Sequence, residues 1–311
     1  MLSVTLDYLY RCNQTLSALD DEFTASFKVP QHIIIIVALP RAGSAFLQQI
    51  LISDLEIGYV SNLMAKFWMA PTIGARLQTE FRQPNFMSSF HSKYGNTDGP
   101  LEPHEWGWFW KEMLALKGDE HYINRPIDTA RLCRKLAAVE HVIGSPLVFD
   151  SVYAVANLQR LLEILPDLRV IYLTRDPFFV CNSILNARIR RYGNMETFYG
   201  HPPSNIDEIR SIADPVEQVV AQVRTLIDEF EQTLQQVLPE HRLDVAYEQL
   251  RANPTSVIQD FVSFQENVGI VLNRRGTQLP VFEDRNASGL IHPEWAERLR
   301  ICYTDYFEGK S

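Results

Sequence analysis

The chain has 311 residues, a formal net charge of −9 and a hydrophobic fraction of 46%, enough length and apolar content for a full core. The acidic balance argues against a nucleic-acid surface, which needs a basic face to neutralise phosphates, and it disfavours a highly anionic acceptor polymer. No apolar run reaches the roughly 18 to 20 residues that span a bilayer, and the start MLSVTLDYLYRCNQ has no basic leader with an apolar core, so a cytoplasmic chain is expected.

Residues 1–30 read as an N-terminal helix or two, with Asp20-Asp21-Glu22 as a helix-start cluster and Pro30 ahead of the first strand. Residues 33–37 are all β-branched and lead into Ala38 and Leu39, the pattern of a strand buried on both faces of a parallel sheet. Pro40 ends it. Arg41, Ala42, Gly43 and Ser44 then form a small-residue turn, and residues 45–51 open a segment of helical spacing. A strand, a tight Gly loop and a helix N-terminus gather free backbone N–H groups and a positive dipole end around one point, which makes an anion site of the phosphate kind. The Walker A pattern needs an upstream Gly and a Gly-Lys-Ser/Thr ending, so ordinary ATP or GTP hydrolysis fits this loop poorly. Taken alone, the motif also allows a plain strand-to-helix turn with no ligand.

A short strand is expected at residues 57–60. Residues 62–81, with Phe67-Trp68-Met69 and a Pro71/Gly74 interruption, form an aromatic-rich helical patch that is either core or the apolar wall of an acceptor pocket. Residues 82–105 carry Gly95, Gly99 and three prolines with little periodicity, and long loops of this kind are usually functional. An aromatic helix is expected over residues 105–116, with Trp106, Trp108, Phe109 and Trp110, and its first turn would deliver His104 and Glu105 to an acceptor site. Residues 117–144 read as a solvent-facing connector, helical over 129–141. Residues 146–149 form a strand that ends at Asp150-Ser151, on the carboxyl edge where ligands gather in open α/β sheets.

Residues 154–165 supply a crossover helix to a further buried strand at 170–173, so two βαβ units are visible. The turn Thr174-Arg175-Asp176-Pro177 follows, with a helix from 178. Arg175 and Ser183 stand eight positions apart, which lets a guanidinium at the strand end and a hydroxyl about two helical turns on converge on one anion. The basic run Arg188, Arg190 and Arg191 continues that helix until residues 193–203 break it; these arginines are either solvated or reach an anionic ligand. A long amphipathic helix over 215–237, a last strand over 242–247 and a packing helix over 255–264 complete the core. Cysteines 12, 133, 181 and 302 are widely spaced without metal-ligand pairing, which fits reduced thiols and no structural zinc.

The two loops, in this order, resemble the sulfotransferase family that uses 3′-phosphoadenosine 5′-phosphosulfate (PAPS), in particular its bacterial, P-loop-like α/β members. The family's Pro-Lys/Arg-Ser-Gly-Thr-Thr loop, which wraps the 5′-phosphosulfate, stands here as Pro40-Arg41-Ala42-Gly43-Ser44-Ala45, and its Arg and Ser that hold the 3′-phosphate stand as Arg175 and Ser183. The resemblance covers roughly residues 32–53 and 145–265. It implies one P-loop-NTPase-like domain spanning residues 1–311, with a central parallel sheet flanked by helices on both faces and an acceptor-side insertion at 82–144. The implied reaction moves a sulfuryl group from PAPS to a hydroxyl or amine, on a carbohydrate or glycolipid by family habit, and needs no metal. Arg41 and the N–H groups of Gly43 to Phe46 would neutralise charge growing on the bridging oxygen, with Ala42, Gly43, Ser44, Ala45 and Phe46 in the donor site. Tyr247, within Tyr247-Glu248-Gln249-Leu250 and Asn253-Pro254, would touch the adenine.

For the general base, His91, Glu102, His104 and Glu105 are the titratable choices in the long loop between the two motifs, and a rigid mount at a helix start favours Glu105, then His104. A cap at Glu105 with His104 packed on Trp108 is the structural alternative. The chain departs from the family at Ala45, where a Thr is usual, and at Asp150, where many relatives carry a Lys. The family often closes a C-terminal loop over the nucleotide with Arg and Gly; Arg274-Arg275-Gly276 supplies candidates for it at a spacing from Tyr247 that is short for the family, and Arg285-Asn286-Ala287-Ser288 follows. Two other classes stay open: a small-molecule kinase, for which Ser44 is present but the loop Lys is absent, and a non-catalytic nucleotide-binding protein.

Overall fold

A computed structural model describes residues 4–83, 85–93, 95–284, 286 and 292–309. The first helix, α1 (Val4–Thr24), leads into β1 (Ile33–Ala38), which the anion-site turn joins to α2 (Ser44–Asp54). After a 3-10 turn at Met64–Phe67 come α3 (Pro71–Phe81), a two-residue hairpin of β2 (Ser92–Lys93) and β3 (Asn96–Thr97), α4 (Gly107–Met113) and α5 (Thr129–Ile143). Then β4 (Leu147–Asp150), the paired short helices α6 (Val152–Ala156) and α7 (Leu158–Ile164), β5 (Arg169–Thr174) and α8 (Pro177–Tyr192) complete the second half of the site. The remaining elements are α9 (Ile206–Ser211), α10 (Pro215–Leu234), β6 (Arg242–Ala246), α11 (Tyr247–Ala252), α12 (Pro254–Glu266) and α13 (Pro293–Tyr303).

Four strands pair in the order β4-β1-β5-β6, all parallel. The Ile-rich β1 lies in the middle because it has two faces to bury: Ile33, Ile35 and Val37 point into one hydrophobic cluster, Ile34 and Ile36 into the other. The first cluster holds side chains of α5, α8, α10 and α13 with Trp106, Phe109 and Trp110; the second holds α2, α11 and α12. The chain runs from β1 to β4 on one side and on to β5 on the other, so the carboxyl end of β1 lies at a topological switch point, the place where open α/β sheets bind ligands.

Several sequence expectations change. Residues 57–60 make only an isolated bridge, Gly58 with Leu147 on the outer side of the edge strand β4, too short a pairing to extend the sheet. The helical patch over 62–81 divides into the 3-10 turn and α3, with Pro71 at the first helical turn, where its missing N–H costs nothing. The aromatic helix starts at Gly107, after Trp106 at φ 53, so Glu105 precedes it rather than lying in its first turn. The crossover splits at Asn157 into α6 and α7.

The connector α5 is not solvent-facing. Leu132, Leu136, Ala138 and Val139 are buried, and with them Lys135, whose ammonium donates to Asp20 at 2.7 Å and to the Met69 carbonyl at 3.2 Å. Asp20 also accepts from the Thr72 N–H and hydroxyl, so the acidic cluster expected to start a helix instead pins the last turns of α1 to α3 and α5. Among the described residues no helix is long and apolar enough to cross a membrane.

Candidate active site

A cleft of about 1160 Å³ opens along the carboxyl ends of the strands. Its wall contains Arg41 and residues 43–46 of the first loop, Arg175 and Ser183 of the second, and Tyr247 at the start of α11. The backbone turns sharply at the loop: Arg41 has φ 71 and Gly43 φ 106, both in the left-handed region, where only Gly is free of Cβ strain. Gly43 is required there for a second reason, since a Cβ would lie 2.8 Å from the Tyr247 ring. The chain behind the loop is tied down by Gln48, whose amide donates to the Val148 carbonyl of β4 at 2.9 Å. The first N–H groups of α2 have no acceptor within the helix and face the loop, which gives the wall its anion-binding character.

The two loops meet through Arg41. Its Nε donates to Ser183 Oγ at 3.2 Å, while Arg175 Nη1 donates to the Arg41 carbonyl at 2.8 Å. Arg175 also donates from Nε to Asn286 Oδ1 at 2.9 Å, and its guanidinium lies 4.5 Å from the Tyr247 ring centroid. Arg175 and Ser183 are thus both tied to Arg41, the first at its carbonyl and the second at its side chain. Beside them Phe282 is edge-on to Phe46 at 4.7 Å and packs on Phe90 at 5.1 Å, with Tyr247 at 6.3 Å from Phe46, an aromatic cluster assembled from four distant segments.

The lining also holds the polar residues Glu105, His121, Asp150, Ser151, Tyr199 and His201. Gly95, at φ 82, lets Glu105 approach, because a Cβ there would collide with Glu105 Oε1. Burial pushes the Glu105 carboxyl up to about 8, the Asp150 charge adding to this and Arg191 opposing it. Asp150 is pushed up to about 6 by burial, with a hydrogen bond from Ser44 pulling the other way. His201 is pushed down to about 3, first by burial and then by His121, and His121 itself is lowered by burial. Both imidazoles are therefore neutral near pH 7 and offer hydrogen bonds rather than charge.

His104 is not among the residues lining the cleft: its Nδ1 accepts from the Trp106 N–H at 2.8 Å, and burial followed by the Lys66 charge lowers its proton affinity. Glu102 is taken up structurally, accepting from Ser88 Oγ at 2.6 Å, the Ser89 N–H at 2.6 Å and Gln49 at 3.3 Å. His91 lines the cleft mouth. Arg274 and Arg275 lie elsewhere. Arg274 pairs with Asp54 at 2.8 Å and Arg275 donates to the Ile52 carbonyl at 2.6 Å, at the carboxyl end of α2, where helix carbonyls attract cations. That end is roughly 16 Å from the loop, at 1.5 Å per residue. Of the later tail, Arg285, Ala287 and Ser288 lie outside the described residues, and Asn286 reaches the site through Arg175.

Sequence reasoning missed Tyr199, His121 and His201, which lie in irregular segments with no periodicity to mark them. It also missed the aromatic cluster, whose only local signal is Phe46 directly after the Gly loop.

A parallel sheet with an anion loop at its switch point, a basic second loop and a facing polar wall defines a transferase of phosphate-like groups. The chain matches the model of the sulfotransferase family over residues 33–266, from the first residue of β1 to the last of α12, and it belongs to that family of PAPS-dependent transferases. In fold it is similar to sulfotransferase STF1 of Mycobacterium tuberculosis, at 13% identity and TM-score 0.53, over 93% of this chain and 81% of that one. It is likewise similar to sulfotransferase STF9 of Mycobacterium avium, at 12% identity and TM-score 0.51, over 94% of this chain and 79% of that one. No curated protein matches the chain.

Proposed function

We propose that the chain transfers a sulfuryl group from PAPS to a hydroxyl of a carbohydrate or glycolipid, with Arg41 at the donor and Glu105 as general base. The observation that carries this reading is that Arg41 and Glu105 line one cleft, on walls built by different parts of the chain. The residues fit the donor: two arginines and a hydroxyl meet at the loop, Gly43 leaves the backbone bare, and the aromatic cluster offers ring faces for a base. Bound PAPS supplies an activated sulfuryl group on an anionic leaving group. Arg41 and the N–H groups from Gly43 to Phe46 neutralise charge as it grows on the bridging oxygen, a contribution made mostly in the transition state. Arg175 and Ser183 bind the 3′-phosphate, and Tyr247 lies against the adenine. On the facing wall Glu105 takes the proton of the attacking hydroxyl. The neutral His121 and His201, with Ser151, suit a polyhydroxylated acceptor better than a flat apolar one.

The test is incubation with labelled PAPS or labelled ATP, each with and without magnesium, against a panel of glycans and glycolipids read by mass spectrometry. The ATP arms are needed because a Ser at the start of the loop helix beside an Asp at the end of the neighbouring strand is also how P-loop kinases hold Mg²⁺. Label transfer from PAPS to a sugar is the expected result. Transfer from ATP alone, or from PAPS only to apolar phenols, would overturn the reading.

A further inference from the structure

Residues 199–201 cross the mouth of the first loop, and their backbone is fixed from beneath. Gln222, fully buried on α10, donates from one amide nitrogen to the carbonyls of Tyr199 at 3.0 Å and His201 at 2.9 Å. Gly200 between them adopts φ 93 and lies against the Pro40 ring so closely that a Cβ would be 2.9 Å from Pro40 Cβ and Cγ. The Tyr122 hydroxyl holds the next carbonyl, that of Pro202. From this clamped segment Tyr199 lines the same cleft as Arg41, whose charge opposes the rise that burial imposes on the Tyr199 hydroxyl. Arg41 is thus held at its side chain by Ser183 Oγ, with its own backbone in the left-handed region and the clamped segment packed against the preceding Pro40.

A long arginine on a turn loses much rotamer entropy when it is aimed, and a charge stabiliser acts only when it is already in place as charge develops. From this geometry we infer that Tyr199 is a positioning residue for Arg41, and that Gln222 sets its reach by clamping residues 199–201 to Pro40. The inference rests on the reading of Arg41 as the group that meets the transferred sulfuryl. It also gives a function to the break after α8: the segment that ends the helix carries both His201 of the acceptor wall and the brace of the donor loop.

The experiment is a double-mutant cycle on the full chain. Tyr199→Phe keeps the ring and removes the hydroxyl, so single-turnover transfer should fall about 10- to 100-fold, because small misplacements of reacting groups cost on this scale. Affinity for 3′,5′-adenosine bisphosphate should change less than about threefold, since the lost contact acts on the transition state. In an Arg41→Ala background the same change should cost less than about twofold, there being no guanidinium left to aim. Gln222→Met, with a matched thermal melt, should copy the turnover loss and also lose it in the Arg41→Ala background. An equal loss from Tyr199→Phe in both backgrounds, or unchanged turnover in either single variant, would overturn the positioning role. A wild-type chain that moves no label from PAPS would instead sink the reading of the site itself.

Discussion

The proton affinity of Glu105 gives the sharpest prediction. Burial pushes its carboxyl up to about 8, with the Asp150 charge raising it further and Arg191 opposing. A general base works only as the anion. At about pH 7, one unit below that value, roughly a tenth of the molecules carry the ionised base, and at about pH 9 roughly nine-tenths do. Turnover at saturating donor should therefore rise nearly tenfold over that range, with a log–log slope of about one on the acid side, a bend at about pH 8 and a plateau above about pH 9. Glu105→Gln keeps the shape and removes the ionisation, so single-turnover transfer should fall about 10²- to 10⁴-fold and the pH limb should vanish. Asp150→Asn tests the cause. Removing a negative neighbour makes ionisation of Glu105 easier, which lowers its proton affinity and moves the limb toward acid, so this variant should reach its own plateau at lower pH. The assay is rapid-quench transfer of labelled sulfuryl group at closely spaced pH values. A Glu105→Gln variant that keeps more than about a tenth of the wild-type rate, or an Asp150→Asn limb that moves to alkaline pH, would refute the assignment.

The preference for 3′,5′-adenosine bisphosphate over 5′-AMP should exceed about tenfold and should disappear in Arg175→Ala, since one charge-assisted contact contributes about 1.5–3 kcal/mol; calorimetry on both ligands measures it. Gly43→Ala forces a side chain into φ 106 and against the Tyr247 ring, so it should lower stability by about 1–2 kcal/mol and weaken nucleotide binding, read by thermal melts with and without ligand. Lys135→Met leaves Asp20 buried without its cation, and since neither side chain is exposed, unfolding in denaturant should show a loss of about 3–5 kcal/mol. A smaller loss than about 1 kcal/mol would mean that water reaches Asp20 in the folded chain.

The sheet and the glycine turn between β1 and α2 were legible in the sequence because they depend on local signals. A run of β-branched residues ending at Pro40, then Gly43 and an apolar helix, states a buried strand and a bare turn within a dozen positions. The same holds for the strand before Arg175. Each of these segments forms for reasons contained in its own neighbours, and the parallel order then brings their carboxyl ends together.

What the sequence by itself could not determine is which residues share the cleft with the glycine turn. Glu105 was recognised as a titratable group near an aromatic helix, but its closeness to Asp150 arises only when β4 pairs with β1 and the loop before α4 folds over Gly95. Asp150 read as a departure from the family pattern, and tertiary packing makes it the neighbour that raises the Glu105 carboxyl. Tyr199 belongs to a stretch with no period, and it joins the cleft that Arg41 lines because Gln222, more than twenty positions later, is buried beneath its backbone. Arg274 and Arg275 show the converse: their chemistry suited the nucleotide, yet the chain returns them to the far end of α2, where Asp54 and the helix carbonyls hold them. Periodicity and turn chemistry are set by residues a few positions apart, whereas the approach of two polar walls is set by how the helices pack on both faces of the sheet, and that is decided only when the whole chain has folded.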